Sequence, residues 1–313
     1  MRYYFAPMEG LTDSIYRKLH HKYFSGVDRY YMPFMSPTVH RSLTPREERE
    51  LPYADTVDFI AVPQLLTKVS EDFLWAAQQC KDRGYAEVNL NLGCPSGTVV
   101  AKGKGSGMLR DLSALEPFLD EIFAGTPLPI SIKCRLGLED PTEFPALLEL
   151  LNRYPIKELT LHPRVRKAFY KGDVNMEMFR FCAENSKNPV CFNGNLCSLE
   201  DVFSFSAEYP QIDAVMLGRG LIADPGMLCG GSTAEKLEGF YDELLEEYTR
   251  EFGGARNAMF RLKENWRMAI CLFDNNEKLR KKLLKTTDLS EFRTITHQIL
   301  HTLPMLPKLR PDW

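Results

Sequence analysis

Tyr3-Tyr4-Phe5-Ala6-Pro7-Met8-Glu9-Gly10 separates two common α/β architectures. An aromatic and apolar run of strand length breaks at a proline and passes through Met8 and Glu9 to a glycine. A doubly wound dinucleotide-binding sheet needs G-x-G-x-x-G at this point, so that backbone amides can receive a pyrophosphate. Pro7-Met8-Glu9-Gly10 stands there instead. The densest glycine cluster, Gly103-Lys104-Gly105-Ser106-Gly107, has the wrong spacing for that fingerprint and for a Walker loop.

The same unit recurs along the chain. Short apolar, β-branched or aromatic runs lie at residues 3–8, 29–34, 59–64, 86–91, 129–134, 158–162, 189–193 and 214–218. Each is followed by Gly, Pro or Asn and then by helical spacing. Asp140-Pro141-Thr142-Glu143 and Ser198-Leu199-Glu200-Asp201 read as helix starts, a capping side chain with an acid three residues on. This alternation predicts a (βα)8 TIM barrel over residues 1–231. From residue 235 to 301 only helical periodicity remains, as in Phe240, Leu244, Leu245, Tyr248 and in Met259, Leu262, Trp266, Ile270. Residues 232–313 are therefore expected to form an all-helical domain, ending in an irregular, surface-packed tail from residue 304.

The chain has 313 residues, 44% of them hydrophobic and 26% charged, values that exclude a disordered protein and are ordinary for a globular one. It contains neither a leader-like N-terminus nor a run of 18 apolar residues. The eight cysteines include no CxxC pair and do not form a disulfide framework pattern. A cytoplasmic protein, acting as a monomer and without membrane association, is expected. The net charge of −3 excludes a protein that coats nucleic acid through bulk positive charge. Between Arg256 and Lys285, however, nine basic residues face three acidic ones, which makes a local basic surface.

Barrel enzymes build their sites at the C-terminal ends of the strands. Here those ends carry Met8 with Glu9, Gln64, Asn91 with Cys94, Lys133 with Arg135, His162 with Arg164, Asn193-Gly194-Asn195, and Gly218-Arg219-Gly220. The last two groups follow strands seven and eight, where barrels often bind phosphate. Lys133 and Gln64 lie across the mouth and suit a flat polar ring that develops negative charge. FMN satisfies both demands. His297 and His301 have the i, i+4 spacing of a metal pair, but no third ligand stands near them in sequence, so no metal is expected.

Ala6-Pro7-Met8-Glu9-Gly10, Leu90-Asn91-Leu92-Gly93-Cys94-Pro95, Ile132-Lys133-Cys134-Arg135-Leu136-Gly137, Leu161-His162, Asn193-Gly194 and Gly218-Arg219-Gly220 resemble, in order, the motifs of the tRNA-dihydrouridine synthases. The resemblance implies that reduced FMN, recharged by NADPH, gives hydride to C6 of a tRNA uracil while Cys94 protonates C5. A neutral thiol with a pKa of about 8.5 suits proton donation. Cys80, Cys134, Cys182 and Cys191, in strand or helix patterns, read as small core residues. The resemblance further implies flavin contacts from Pro7, Met8, Glu9, Gln64, Lys133, His162, Asn193, Gly194, Asn195, Gly218 and Arg219. It places Asn91 on the uracil and Arg135, Arg164, Arg166 and Tyr170 near the substrate nucleotide. Two positions depart from the family pattern: Pro163 follows His162 where glycine is common, and Asn195 replaces a frequent acid.

Arg261-Leu262-Lys263-Glu264-Asn265-Trp266-Arg267 resembles the family's tRNA-binding segment. Arg261, Lys263 and Arg267 are expected on phosphates or bases, with Trp266 as a stacking platform or, on its helical spacing, as core. The competing function is an FMN-dependent barrel that acts on a small free pyrimidine, as in dihydroorotate oxidation. It has no use for a basic helical tail.

Overall fold

The computed structural model describes residues 1–309 and 311. Among these residues nine strands form one parallel sheet: β1 (Arg2–Phe5), β2 (Arg29–Tyr31), β3 (Ala61–Val62), β4 (Gln64–Leu65), β5 (Val88–Leu92), β6 (Ile130–Arg135), β7 (Leu159–His162), β8 (Val190–Phe192) and β9 (Ala214–Leu217). Their spatial order is β3-β2-β1-β9-β8-β7-β6-β5-β4. The two ends of that order, β3 and β4, are halves of one strand parted at Pro63, which has no N–H to donate. The sheet is thus closed, with eight strand positions and helices between them, as the sequence predicts.

Strand residues alternate between two environments. Val88, Leu90, Leu92, Ile130, Ile132, Cys134, Leu159, Leu161 and Phe192 are buried apolar residues. The ring of Phe192 packs at 4.7 Å from Phe179 and 4.4 Å from Phe205, on helices Met176–Asn185 and Leu199–Glu208. The intervening residues, Glu87, Asn89, Asn91, Ser131, Lys133, Arg135, Thr160 and His162, belong to the opposite face, which is the lumen of the barrel. Asp140 and Glu143 form the capping box that the sequence predicts.

By their contacts the residues fall into two compact units. One comprises Met1–Pro7, Asp28–Asn195 and Phe205–Met216, and so holds nearly all of the barrel. The other comprises Met8–Val27, Leu196–Ser204 and the residues from Leu217 onward. In this second unit helix Ser14–Tyr23 joins helices Ala234–Glu251, Ala255–Ala269, Glu277–Lys285 and Leu289–Thr302. Its core includes Phe240, edge-on to Tyr16 at 5.3 Å and to Phe24 at 5.5 Å. In the tail, Met305 bridges to Phe273 and Leu309 is buried; Arg310, Asp312 and Trp313 lie outside the described residues. Among the described residues no helix is long and apolar enough to cross a membrane.

Candidate active site

The C-terminal end of β5 runs into Gly93-Cys94-Pro95, and Asn91 shapes that turn. Its Oδ1 accepts from the Gly93 amide at 3.0 Å and the Cys94 amide at 2.9 Å. From the other side, Ser106 donates through its N–H and its Oγ to the Cys94 carbonyl. Gly105 sits so close, with φ +59°, that a Cβ there would lie 3.0 Å from the Cys94 Cβ. The glycine cluster that the sequence left without a role therefore braces the cysteine loop. Cys94 is partly exposed, whereas Cys80, Cys134, Cys182 and Cys191 are buried. Burial pushes the Cys80 and Cys134 thiols up to about 12, which makes them inert core residues.

Lys133 pairs in register with Asn91 on the neighbouring strand. Burial first, and the Arg135 charge second, push its pKa down to about 8. Among the described residues nothing accepts a hydrogen bond from its ammonium. A cation held in a barrel mouth without a protein acceptor fits an electron-rich ring such as a flavin's.

His162, at the end of β7, is 7% exposed. Its Nε2 lies 2.8 Å from Arg164 Nη1. A guanidinium only donates, so Nε2 accepts and the proton of the neutral ring sits on Nδ1. Pro163 is accommodated in a three-residue turn closed by the Arg164 amide on the His162 carbonyl at 2.7 Å. Asn193 is 8% exposed and donates to the Met216 carbonyl, which fixes its amide. Next to it, a Cβ on Gly194 would fall 2.2 Å from the Phe192 ring.

A model of the dihydrouridine synthase (Dus) family matches residues 4–301. The chain belongs to this family. It is 28% identical over 224 residues to a probable tRNA-dihydrouridine synthase of Rickettsia bellii, an alignment covering 71% of this chain and 68% of that protein. With the probable tRNA-dihydrouridine synthase 1 of Synechocystis it shares 24% identity across 95% of this chain and 86% of the relative. Among solved structures, morphinone reductase superposes with a TM-score of 0.51 at 12% identity, over 72% of this chain and 84% of that one. At that identity the likeness concerns the barrel fold alone.

Several residues expected on the tRNA of a Dus enzyme also have partners within the protein. Arg135 is 2% exposed, and its guanidinium donates to the carbonyls of Gly93, Val165 and Phe169, so it ties the cysteine loop to the loop after β7. Arg164 is 3% exposed and holds His162 and the Gly172 carbonyl. Lys263 is buried, its ammonium on the Thr286 and Leu284 carbonyls at the end of helix Glu277–Lys285. Trp266 is 1% exposed and packs on Tyr241, a placement in keeping with its core reading. Arg261 pairs with Asp13 at 2.9 Å, and Asp13 also accepts from Tyr248 and from the Tyr16 amide.

Other expected contacts remain accessible. Tyr170 is 48% exposed with Arg135 behind its ring, and Arg166 lies over the ring of Phe169. Phe169, which sequence reasoning passed over, is 41% exposed and has φ +50°, a strained conformation for an aromatic residue. In the second unit, Glu9, Gly10 and Leu11 line a cleft of about 450 Å³ with Arg261, Glu264, Arg267, Met268 and Arg280. Arg256, Arg267, Lys278, Lys281, Lys282 and Lys285 are exposed. Glu238 supplies a carboxylate beside His297 and His301, 3.1 Å from His301 Nε2, a third neighbour invisible in sequence.

Proposed function

We propose that the chain reduces particular uridines of tRNA to dihydrouridine, with FMN as the flavin, NADPH as the reductant and Cys94 as the proton donor. The carrying observation is the pairing of a partly exposed cysteine, fixed by Asn91 and braced by Gly105 and Ser106, with an ammonium at the same barrel mouth that has no acceptor among the described residues. When bound, the flavin supplies the hydride for C6 of the uracil. Cys94, as a neutral thiol, delivers the proton to C5. Asn91 has a second amide N–H beyond the one it gives Gln64, and that donor suits a uracil carbonyl. Lys133 faces the charge that develops on the reacting rings. His162 presents a ring locked in one tautomer by Arg164. The remaining flavin contacts are assigned to Gln64, Asn193, Gly194 and Asn195, and to the segments leaving β1 (Pro7, Met8, Glu9) and β9 (Gly218, Arg219). Tyr170 and Arg166 are assigned to the substrate nucleotide. The exposed lysines and arginines of the helices supply the polyanion surface that a free pyrimidine would not need.

Cys94→Ala tests the reading. The variant should bind FMN on titration and accept electrons from NADPH, yet form dihydrouridine about 100- to 10,000-fold more slowly, the usual cost of losing a general acid. Near-normal dihydrouridine formation would assign the acid elsewhere, and failure of the folded protein to bind FMN would remove the flavin.

A further inference from the structure

We infer that Asn89, Ser131 and Glu87 are positioning residues for the Cys94 loop, acting through a one-way chain of hydrogen bonds down the barrel lumen. The inference rests on the reading of Cys94 as proton donor. The chain starts at the Gly93 and Cys94 amides, which can only donate, so the Asn91 atom facing them is Oδ1. Asn91 Nδ2 then donates to Gln64 Oε1 at 2.7 Å, and Gln64 Nε2 donates to Asn89 Oδ1 at 2.7 Å. Asn89 Nδ2 donates to Ser131 Oγ at 3.0 Å, and the hydroxyl donates to Glu87 Oε1 at 3.0 Å. The far oxygen of Glu87 is held by Arg29 at 3.0 Å and Lys157 at 2.5 Å.

Both ends demand the same polarity. Backbone N–H groups terminate one end and a carboxylate clamped by two cations terminates the other. Turning Asn91 or Gln64 over would set oxygen against oxygen on one side and nitrogen against nitrogen on the other, and turning Asn89 over would set its Nδ2 against Gln64 Nε2 and draw the Ser131 hydroxyl away from Glu87. The five linking residues are at most 7% exposed, and Asn89 and Ser131 are fully buried, so water does not substitute for a missing partner. Each side chain is therefore fixed by its neighbours, and the position of the Cys94 amide is set in part by a carboxylate at the other end of the chain. Strand register supports this: Gln64 pairs with Asn89 and Asn89 with Ser131, so the links join adjacent strands at one level of the lumen.

The test compares Asn89→Leu, Ser131→Ala and Ser131→Thr as full-length flavoproteins, with bound-flavin content reporting that the barrel is folded. Two quantities are measured: the single-turnover rate of dihydrouridine formation in tRNA at saturating flavin, and amide hydrogen exchange at Gly93 and Cys94. Asn89→Leu should slow the reaction by about 10- to 100-fold, the range expected when a reacting group is misplaced by a fraction of an ångström to one ångström. Exchange at the two amides should rise, and tRNA affinity should stay within about twofold, because Asn89 lies beneath the site and does not meet the tRNA. Ser131→Ala should act in the same direction but more weakly, and Ser131→Thr, which keeps the hydroxyl, should restore both readouts. The double variant Asn89→Leu/Ser131→Ala should be little slower than Asn89→Leu, since the chain is already broken. Wild-type rate and exchange in Asn89→Leu would overturn the proposal, as would a slow rate with unchanged exchange. Should Cys94→Ala remain active, the Cys94 reading fails, while the exchange data still decide whether the chain holds the loop.

Discussion

Replacing Lys133 by methionine should stabilise the flavin-free protein near neutral pH, even as it damages the site. Burial and the neighbouring Arg135 lower the Lys133 pKa from 10.5 to about 8. At 1.36 kcal/mol per pH unit, that gap corresponds to an upper limit of ~3 kcal/mol by which the charged form is disfavoured on folding. The side chain retains partial exposure, so about 1–3 kcal/mol is expected. Below pH 8 the ammonium is charged in both folded and unfolded chains, and the penalty is present in full. Between pH 8 and 10.5 the folded chain has released the proton and the unfolded chain has not, so wild-type stability rises with pH through this window. Above it the penalty is gone. Methionine has a similar unbranched stem and no charge, so its advantage should be largest at pH 7 and should shrink toward pH 10. Urea unfolding of the flavin-free wild type and Lys133→Met at these two pH values measures the difference, with matching m-values confirming that only stability changed. The variant should at the same time bind FMN more weakly and accept electrons more slowly. A variant less stable than wild type at pH 7, or an advantage that does not change with pH, would refute the reasoning.

Three further outcomes follow from the same geometry. Arg267, Lys281 and Lys282 changed together to alanine should weaken tRNA binding and flatten its dependence on salt by about two to three in log–log slope, roughly 0.7–0.9 for each phosphate no longer neutralised; equal slopes would make this surface ordinary solvated helix. Arg261 and Lys263 are left unchanged in that experiment because each also holds a partner inside the protein, so their loss would mix stability with binding. Arg261→Ala should destabilise by about 2–4 kcal/mol, since Asp13, only 6% exposed, loses its cation, and thermal unfolding should show recovery when Asp13→Asn is added. Gly105→Ala, strained at φ +59° and crowding the Cys94 Cβ, should slow dihydrouridine formation while flavin content is kept; an unchanged rate would mean that the brace is not needed.

The barrel was legible because its signal is local and repeated. Each strand is an apolar run with a turn residue behind it, and the absence of G-x-G-x-x-G after residue 5 removes the main competitor. The family motifs likewise mark the strand ends where Asn91, Cys94, Lys133 and His162 stand. What sequence reading missed is the difference between a basic residue and an available one. Lys263 and Arg267 lie four apart on one helix, yet Lys263 is 4% exposed and Arg267 is not buried. Only the approach of the Thr286 carbonyl, more than twenty residues away, decides between them. The burial of Arg135 and Arg164 was hidden in the same way, since the carbonyls that accept their hydrogen bonds come from loops whose paths no short motif encodes.

The lumen residues were missed for a different reason, and here a signal was present. In Glu87-Val88-Asn89-Leu90-Asn91-Leu92 and Ile130-Ser131-Ile132-Lys133-Cys134-Arg135, polar and apolar residues alternate strictly. Strands of a parallel sheet buried on both faces usually read as nearly continuous hydrophobic runs. Strict alternation in such strands therefore says that one face meets helices and the other something polar. In this barrel the apolar face carries the packing, with Leu90, Leu92, Ile132 and Cys134 fully buried. The polar face carries hydrogen bonds that run to the cysteine loop. The division has a mechanical consequence: substitutions on the outward face should cost stability first, whereas those in the lumen should cost turnover first. A fold that packs its core outside the strands can hold a buried polar chain within them, and so pass the position of a carboxylate at one end of the lumen to a thiol at the other.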